Sequence, residues 1–155
     1  MVAVARQSDR AGFVELAKEV ERWFGPMVAE PGFHRALEKN VSRGTALCVR
    51  RDDATGLRGG LLLSVRPRRC RIGWLVVAAA DRSCGVGRAL VAEAVRRLDG
   101  PGVVEVVTFA ADHPAAVPSG ARAFYERLGF TAEEKADAAP DGTPRQWYRL
   151  RRAGG

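Results

Sequence analysis

Residues Arg82-Ser-Cys-Gly85-Val-Gly87-Arg88 follow an apolar run and lead at once into a helix-like pattern. Glycine loses more backbone entropy on ordering than any other residue, so two of them at a strand-to-helix junction need a reason. One reason is a chain that must turn with positive φ, or that lets another group come close to its backbone. The amides of Ser83 to Arg88 then converge with the positive end of a helix dipole, and main chain alone builds an anion site. Arg82 and Arg88 add charge at its rim, and a pyrophosphate fits such a nest. A P-loop needs Lys-Ser/Thr after its last glycine, where this chain has Arg88-Ala89. A dinucleotide fingerprint needs a small residue three positions after Gly87, where Leu90 stands. Both nucleotide readings weaken, and taken alone the Gly-x-Gly also fits a merely structural tight turn.

The other reactive side chains offer less. Cys48, Cys70 and Cys84 are odd in number, far apart and without a Cys-x-x-Cys pair, so they form neither a disulfide framework nor a zinc site. No metal is expected. The formal charge of +7 favours an anionic partner, whether nucleic acid, membrane surface or phosphorylated cofactor, and charge alone does not choose among them. No apolar stretch approaches the roughly 20 residues of a membrane helix, and the N-terminus lacks the layout of a secretory signal. The expectation is a cytoplasmic protein of one domain, residues 1–155.

These groups need a scaffold. Val2 and Val4 alternate with small residues as a short strand, and Ser8 or Asp9 can cap a helix whose apolar stripe is Phe13, Leu16, Ala17, Val20 and Phe24. Gly25-Pro26 ends that helix, and Pro31 opens another that closes at Gly44. Strands follow over Thr45 to Arg50 and Leu61 to Val65, joined by a turn-rich link from Asp52 to Gly60. Arg71 to Ala78 reads as a strand buried on both faces, because it is apolar almost throughout. Gly87 to Leu98 is helical, and Val103 to Phe109 is a strand, so strand, helix, strand makes a parallel crossover. Ser119 can cap a helix bearing Phe124, Tyr125 and Leu128, which Gly129 ends. Phe130-Thr131 starts a strand, Glu133 to Arg145 reads as a loop, and Gln146 to Leu150 is the last strand. The fold class is α/β, a mixed sheet with helices on its faces.

Arg82-x-x-Gly85-x-Gly87, with Ala121-x-x-Phe124-Tyr125-Glu126-x-x-Gly129-Phe130 downstream, resembles the two signature regions of the GNAT superfamily of acyl-CoA-dependent N-acyltransferases. The resemblance spans the whole layout and is most specific from Arg71 to Phe130. It implies a GNAT-like fold, with parallel central strands that splay apart and about four helices. It also implies acetyl-CoA as co-substrate, with pantothenate bonded like an extra strand to the backbone of Leu75, Val76 and Val77, as far as Ala78. The pyrophosphate then sits on the amides of Ser83, Cys84, Gly85, Val86, Gly87 and Arg88, next to Arg82, and the two glycines clear space for phosphate oxygens. Tyr125 matches the residue that often protonates the departing thiolate, and a phenol near pKa 10 suits an alkyl thiol. An amine attacks the thioester directly, without an acyl-enzyme. A Cys84 acyl-enzyme is disfavoured, since its implied place is beneath the pyrophosphate, far from the thioester.

The general base is not named by the motifs. Glu30, His34, Asp112 and His113 are the candidates, and a water relay to solvent is an equal alternative. Two positions depart from the family pattern: Pro118 where many relatives have Asn, and Ala79-Ala80-Asp81 where Pro-x-aromatic is usual. The acceptor is expected beside the first two helices, as a small-molecule or peptide amine, with Trp23 a candidate lip of its pocket. A monomer or homodimer is expected, with no nucleic acid and no membrane as partner. The rival classes are a basic nucleic-acid-binding module and a non-catalytic acyl-CoA sensor. No recognition helix or aromatic RNA-binding strand motif supports the first.

Overall fold

The apolar stripes of the first 44 residues become α1 (Arg10–Phe24) and α2 (Pro31–Arg43) in the computed structural model, which describes residues 1–53, 55–139 and 142–153. Around them run β1 (Val2–Val4), β2 (Ala46–Arg50), β3 (Leu57–Arg66) and β4 (Arg69–Val77). Then follow α3 (Val86–Arg96), β5 (Gly102–Phe109), α4 (Ala121–Arg127), β6 (Thr131–Ala136) and β7 (Arg145–Arg152). Hydrogen bonding orders the strands β1-β2-β3-β4-β5-β7-β6. β4 and β5 run parallel, from Arg69↔Val103 to Ile72↔Val106, while β1/β2, β2/β3, β5/β7 and β6/β7 are antiparallel. The sheet is mixed, as the strand–helix–strand reading required.

The chain divides into two compact units, Met1–Ser64 with Gly73–Arg96 and Val65–Ile72 with Arg97–Gly155. In the first, Phe13, Leu16 and Val20 of α1 and Leu37 and Val41 of α2 meet Ala46, Cys48, Leu57, Leu62 and Val76 from the strands. Burying side chains of this size stabilises the fold by about 1.5–3 kcal/mol each. Trp74 sits 5.8 Å from both Phe13 and Phe33, and its Nε1–H donates to Met27 Sδ at 3.3 Å. In the second unit Tyr148 is fully buried on β7, with Val104, Val106, Tyr125 and Phe130 also in its core.

Several local expectations are corrected. Asp9 precedes α1, but its carboxylate makes no cap bond to that helix. It accepts the Arg6 N–H at 2.8 Å instead and pairs with Arg50 at 2.7 Å. β3 begins at Leu57, so Gly59 and Gly60 are strand residues and not part of a turn. Their missing side chains have a packing cause: a Cβ on Gly60 would lie 2.6 Å from the Phe13 ring, and one on Gly59 would lie 2.7 Å from Val86. β4 is buried on alternate residues only, with Arg69, Arg71 and Gly73 exposed and Leu75 and Val77 half-buried. Gly120, in the left-handed region, stands at the N-cap of α4, and Ser119 just before it accepts the Ala121 N–H on its Oγ at 3.4 Å, as expected of a capping residue. Part of the expected 133–145 loop is strand β6; residues 140 and 141 of that segment lie outside the described residues.

The strand expected to start at Phe130-Thr131 runs on to Ala136, through residues whose polarity reads as loop. Its carboxylates serve as partners for the arginines of β7: Arg149 reaches Glu133 at 2.9 Å and Glu134 at 2.6 Å, and Arg151 reaches Glu133 at 2.7 Å. Beneath them Glu105 is fully buried, held by Arg71 at 2.9 Å and Arg149 at 3.0 Å. Burial pushes the Glu105 carboxyl up, but hydrogen bonds from Arg149 and Arg71 outweigh it and leave it below its ordinary 4.5. A lowered carboxyl stabilises the fold above its unfolded value, and that contribution is lost as pH falls through the folded value. Glu105→Gln is therefore expected to lower unfolding free energy by about 1–3 kcal/mol at pH 7. In urea titrations the gap to the parent protein should close as pH drops below 4.5. An equal gap at pH 7 and pH 3 would contradict the assignment.

Candidate active site

In the first unit, β4 ends at Val77, and the chain passes through a 3-10 turn, Ala79–Asp81, before residues 82–85 lead into α3. Ser83 takes φ 63° and Gly85 φ 83°. Left-handed backbone costs a residue with a Cβ roughly 1–2 kcal/mol, and successive excursions of this kind turn amides toward one side. Ser83 is the surprise, a non-glycine residue in a conformation that the sequence reading gave to the glycines. Gly85 meets the expectation: a Cβ there would have no heavy atom within 4 Å, so the space beside it is open. Gly87 does not need positive φ; it is a buried residue in the first turn of α3. The Gly85 carbonyl accepts the Ala89 N–H at 3.0 Å and starts the helix.

The residues assigned to the anion site thus share one turn and one helix terminus. Arg82, Ser83, Cys84, Gly85 and Arg88 are exposed, whereas Val86 and Gly87 are buried. The Arg82 guanidinium lies 4.8 Å from the Trp23 ring centroid, and Arg22 lies 4.2 Å from the same ring. Trp23 is therefore half-buried between two cations, and Phe24, expected on the buried stripe, is the residue that is 48% exposed. Cys84 is exposed, its Sγ 3.6 Å from the Arg82 carbonyl. Cys48 and Cys70 are buried, which pushes both thiols up to about 11 and keeps them protonated.

The strand segment assigned to pantothenate, Leu75 to Ala78, continues straight into this turn. Val76 and Ala78 are buried and face the core, while Leu75 and Val77 are half-buried. Two of the candidate bases, Glu30 and His34, stand at the start of α2, after the connection from α1. Glu21 Oε2 accepts the N–H of Met27 at 2.6 Å and of Val28 at 3.1 Å, which shapes the connection between the two helices. His34 Nε2 lies 2.6 Å from the Val28 carbonyl, so that nitrogen carries the proton and only Nδ1 keeps a lone pair. Glu30 precedes α2, exposed and making no cap bond. A pocket of about 380 Å³ between α1 and the β2–β3 connection is lined by Glu15, Glu19, Arg51 and Thr55 and contains none of the assigned residues.

In the second unit, Tyr125 is buried on α4, with ring centroids 5.1 Å from Phe124, 5.4 Å from Phe130 and 6.3 Å from Tyr148. Burial pushes its phenol well above 10, so it stays protonated throughout the neutral range. The Gly129 turn, at φ 97°, brings the chain back so that Phe130 N–H donates to the Tyr125 carbonyl at 3.0 Å. This bond explains why glycine and an aromatic follow the helix. Tyr148 Oη donates to Glu126 at 3.1 Å, and Arg122 bonds the Phe109 carbonyl at 2.9 Å and Gln146 at 2.7 Å. His113 stacks on Phe109 at 4.6 Å, and its Nδ1 accepts the Ala115 N–H at 2.9 Å. Each histidine thus commits one ring nitrogen to main chain. Asp112 is exposed. Among the described residues no three His, Cys, Asp or Glu side chains are grouped to hold a metal ion, and no helix is long and apolar enough to cross a membrane.

Comparison with solved structures finds the same architecture repeatedly. A GNAT-family acetyltransferase from Bacillus cereus aligns with TM-score 0.73 at 12% identity, over 98% of this chain and 96% of its own. The NatC complex bound to Gag peptide and CoA aligns at 0.72 and 14% identity, over 99% and 98%. A ribosomal-protein-alanine N-acetyltransferase from Brucella melitensis aligns at 0.71 and 18%, over 98% and 99%. At these identities the likeness is one of fold. A comparison with curated protein sequences finds no match. The sequence itself carries the assignment further, because the model of the acetyltransferase (GNAT) domain matches residues 36–132, from within α2 through the turn at residues 82–85 and α4 into β6. Motifs, strand order and family model agree, and the chain belongs to the GNAT family of acetyltransferases.

Proposed function

We propose that this protein is an N-acetyltransferase that moves an acetyl group from acetyl-CoA to a primary amine by direct attack in a ternary complex. The observation that carries this reading is the turn at residues 82–85, where Ser83 and Gly85 adopt positive φ before the N-terminus of α3 in a chain of this family. The exposed backbone of Ser83, Cys84 and Gly85, the first amides of α3 and the side chains of Arg82 and Arg88 fit a diphosphate. Leu75, Val76 and Val77 supply main-chain bonds to the pantothenate arm, in the manner of an added strand. When bound, acetyl-CoA supplies an activated acyl carbon, and its thiolate leaves as the amine nitrogen bonds to that carbon.

The rest of the work falls to the protein. Its largest contribution is to hold amine and thioester together, since a well-oriented pair reacts as if at very high local concentration. Tyr125, kept neutral by burial, donates a proton toward the departing sulfur. Glu30, His34, Asp112, His113 and ordered water are the routes by which the amine proton leaves. The acceptor is a small-molecule amine or a peptide N-terminus, the latter favoured by the relative whose name specifies ribosomal-protein alanine.

Acetyl-CoA is expected to raise the melting temperature, as any ligand of the folded state does. Thiol release should then depend on added amine, tested with small primary amines and with peptides having free N-termini, alanine-first peptides among them. Stabilisation without amine-dependent release would instead identify an acyl-CoA sensor. Binding to nucleic acid that falls steeply with salt, with no response to acetyl-CoA, would identify the basic-module alternative.

A further inference from the structure

We propose that Asp81 is a positioning residue for donor binding, its carboxylate clamped by Arg51 and Arg58 so that the turn bearing the phosphate-binding amides is held in one conformation. The inference rests on the acetyl-CoA reading above. Five contacts, all within the first unit, converge on the segment 78–82. The Ala78 N–H donates to the Arg58 carbonyl at 2.8 Å. The Ala79 N–H donates to Glu19 Oε1, on α1, at 2.8 Å. Asp81 Oδ1 accepts from Arg58 Nε at 3.0 Å, and Oδ2 lies 2.8 Å from an Arg51 nitrogen, off the N–H axis, as an ionic contact. The Arg82 guanidinium rests over Trp23.

Asp81 is the hub of this arrangement. Its side chain is only 12% exposed, while the two arginines are about one-third exposed. Two residues later Ser83 takes up its left-handed conformation, which a free loop would relax. Arg51 just after β2, Arg58 at the start of β3, and Glu19 and Trp23 on α1 thus brace the turn from elements that carry none of the assigned phosphate contacts.

Charge alone predicts the opposite of positioning, and this makes the idea testable. A carboxylate two residues from Ser83 has the wrong sign for a diphosphate. With Arg51 and Arg58 it sums to one positive charge, and without it the pair would offer two. If Asp81 acted only through charge, Asp81→Asn would tighten acetyl-CoA binding. If it positions the turn, the same change weakens binding, because small displacements of binding groups cost large factors in affinity.

The experiment compares the parent protein with Asp81→Asn and with Arg58→Met, which removes the directed hydrogen bond from the other side. Acetyl-CoA is titrated by calorimetry, and S-acetylpantetheine, which lacks the diphosphate, is titrated by NMR. The expected result is acetyl-CoA affinity lowered about tenfold or more in both variants. S-Acetylpantetheine affinity should stay within about twofold, since its assigned contacts on Leu75, Val76 and Val77 precede the braced segment 78–82. Unchanged or tighter acetyl-CoA binding overturns the proposal, as does an equal loss for both donors, which a general loosening of the fold would produce. Should Asp81→Asn fail to fold, Arg58→Met decides alone. A parent protein that binds no acetyl-CoA removes the donor reading itself, a failure seen without any variant.

Discussion

Replacing Gly85 with valine is expected to weaken acetyl-CoA binding by about fiftyfold or more, while the protein loses only about 1–2 kcal/mol of stability. The stability cost comes from φ 83°, which a β-branched residue tolerates poorly. The binding cost comes from geometry, because the new Cβ enters a space that holds no heavy atom of the protein within 4 Å. Gly44 separates the two effects. It also has positive φ, at 72°, with nothing near its Cβ position, but it closes α2 and has no assigned phosphate contact. Gly44→Val should therefore lose comparable stability and keep acetyl-CoA affinity within about twofold. Equal binding losses in the two variants would show that strain, not phosphate access, is what Gly85 relieves.

Tyr125→Phe is expected to lower turnover at saturating substrates by about a hundredfold, the scale of a lost general acid. Acetyl-CoA affinity should change little, and so should stability, since the ring stays packed against Phe124, Phe130 and Tyr148. The pH profile adds a second check. An acid works while protonated, and burial moves the Tyr125 phenol upward from 10, so its deprotonation cannot depress the rate anywhere between pH 6 and about 9.5. Any activity gained as pH rises in that range belongs to loss of the amine proton. A rate falling with a midpoint near pH 8, or turnover unaffected by the missing hydroxyl, would take the role away from Tyr125.

Much of the architecture was legible because its signals are local. The stripe from Phe13 to Val20, the glycines at positions 25, 44 and 129, and the proline at 31 each state a boundary that short-range sterics enforce. What escaped was set by partners distant in sequence. Gly59 and Gly60 read as turn residues, and only the arrival of Val86 and the Phe13 ring explains them as strand. The start of β6 is legible at Phe130-Thr131, but from Glu133 on it reads as loop because Glu133, Glu134 and Lys135 lack apolar alternation, and their pairing with β7 supplies the missing reason. The turn between β4 and α3 lies where the glycines imply it, yet its second left-handed residue is Ser83 and not Gly87. Composition marks glycine as permissive, but a neighbour's brace can force the same conformation on serine. Asp81 stood in the sequence only as a departure from the family pattern, since nothing local announces that Arg51 and Arg58 will reach it.

The outermost strands have a consequence for self-association. An open sheet margin invites another chain to continue the ladder, and proteins deter this with charge or brevity. Here one margin is β6, bearing Glu133, Glu134 and Lys135, and the other is β1, three residues long. Fusing two copies into one continuous sheet would thus crowd charged side chains that already have partners at one border or gain almost no bonds at the other. If the protein pairs with itself, helices or sheet faces must supply the contact.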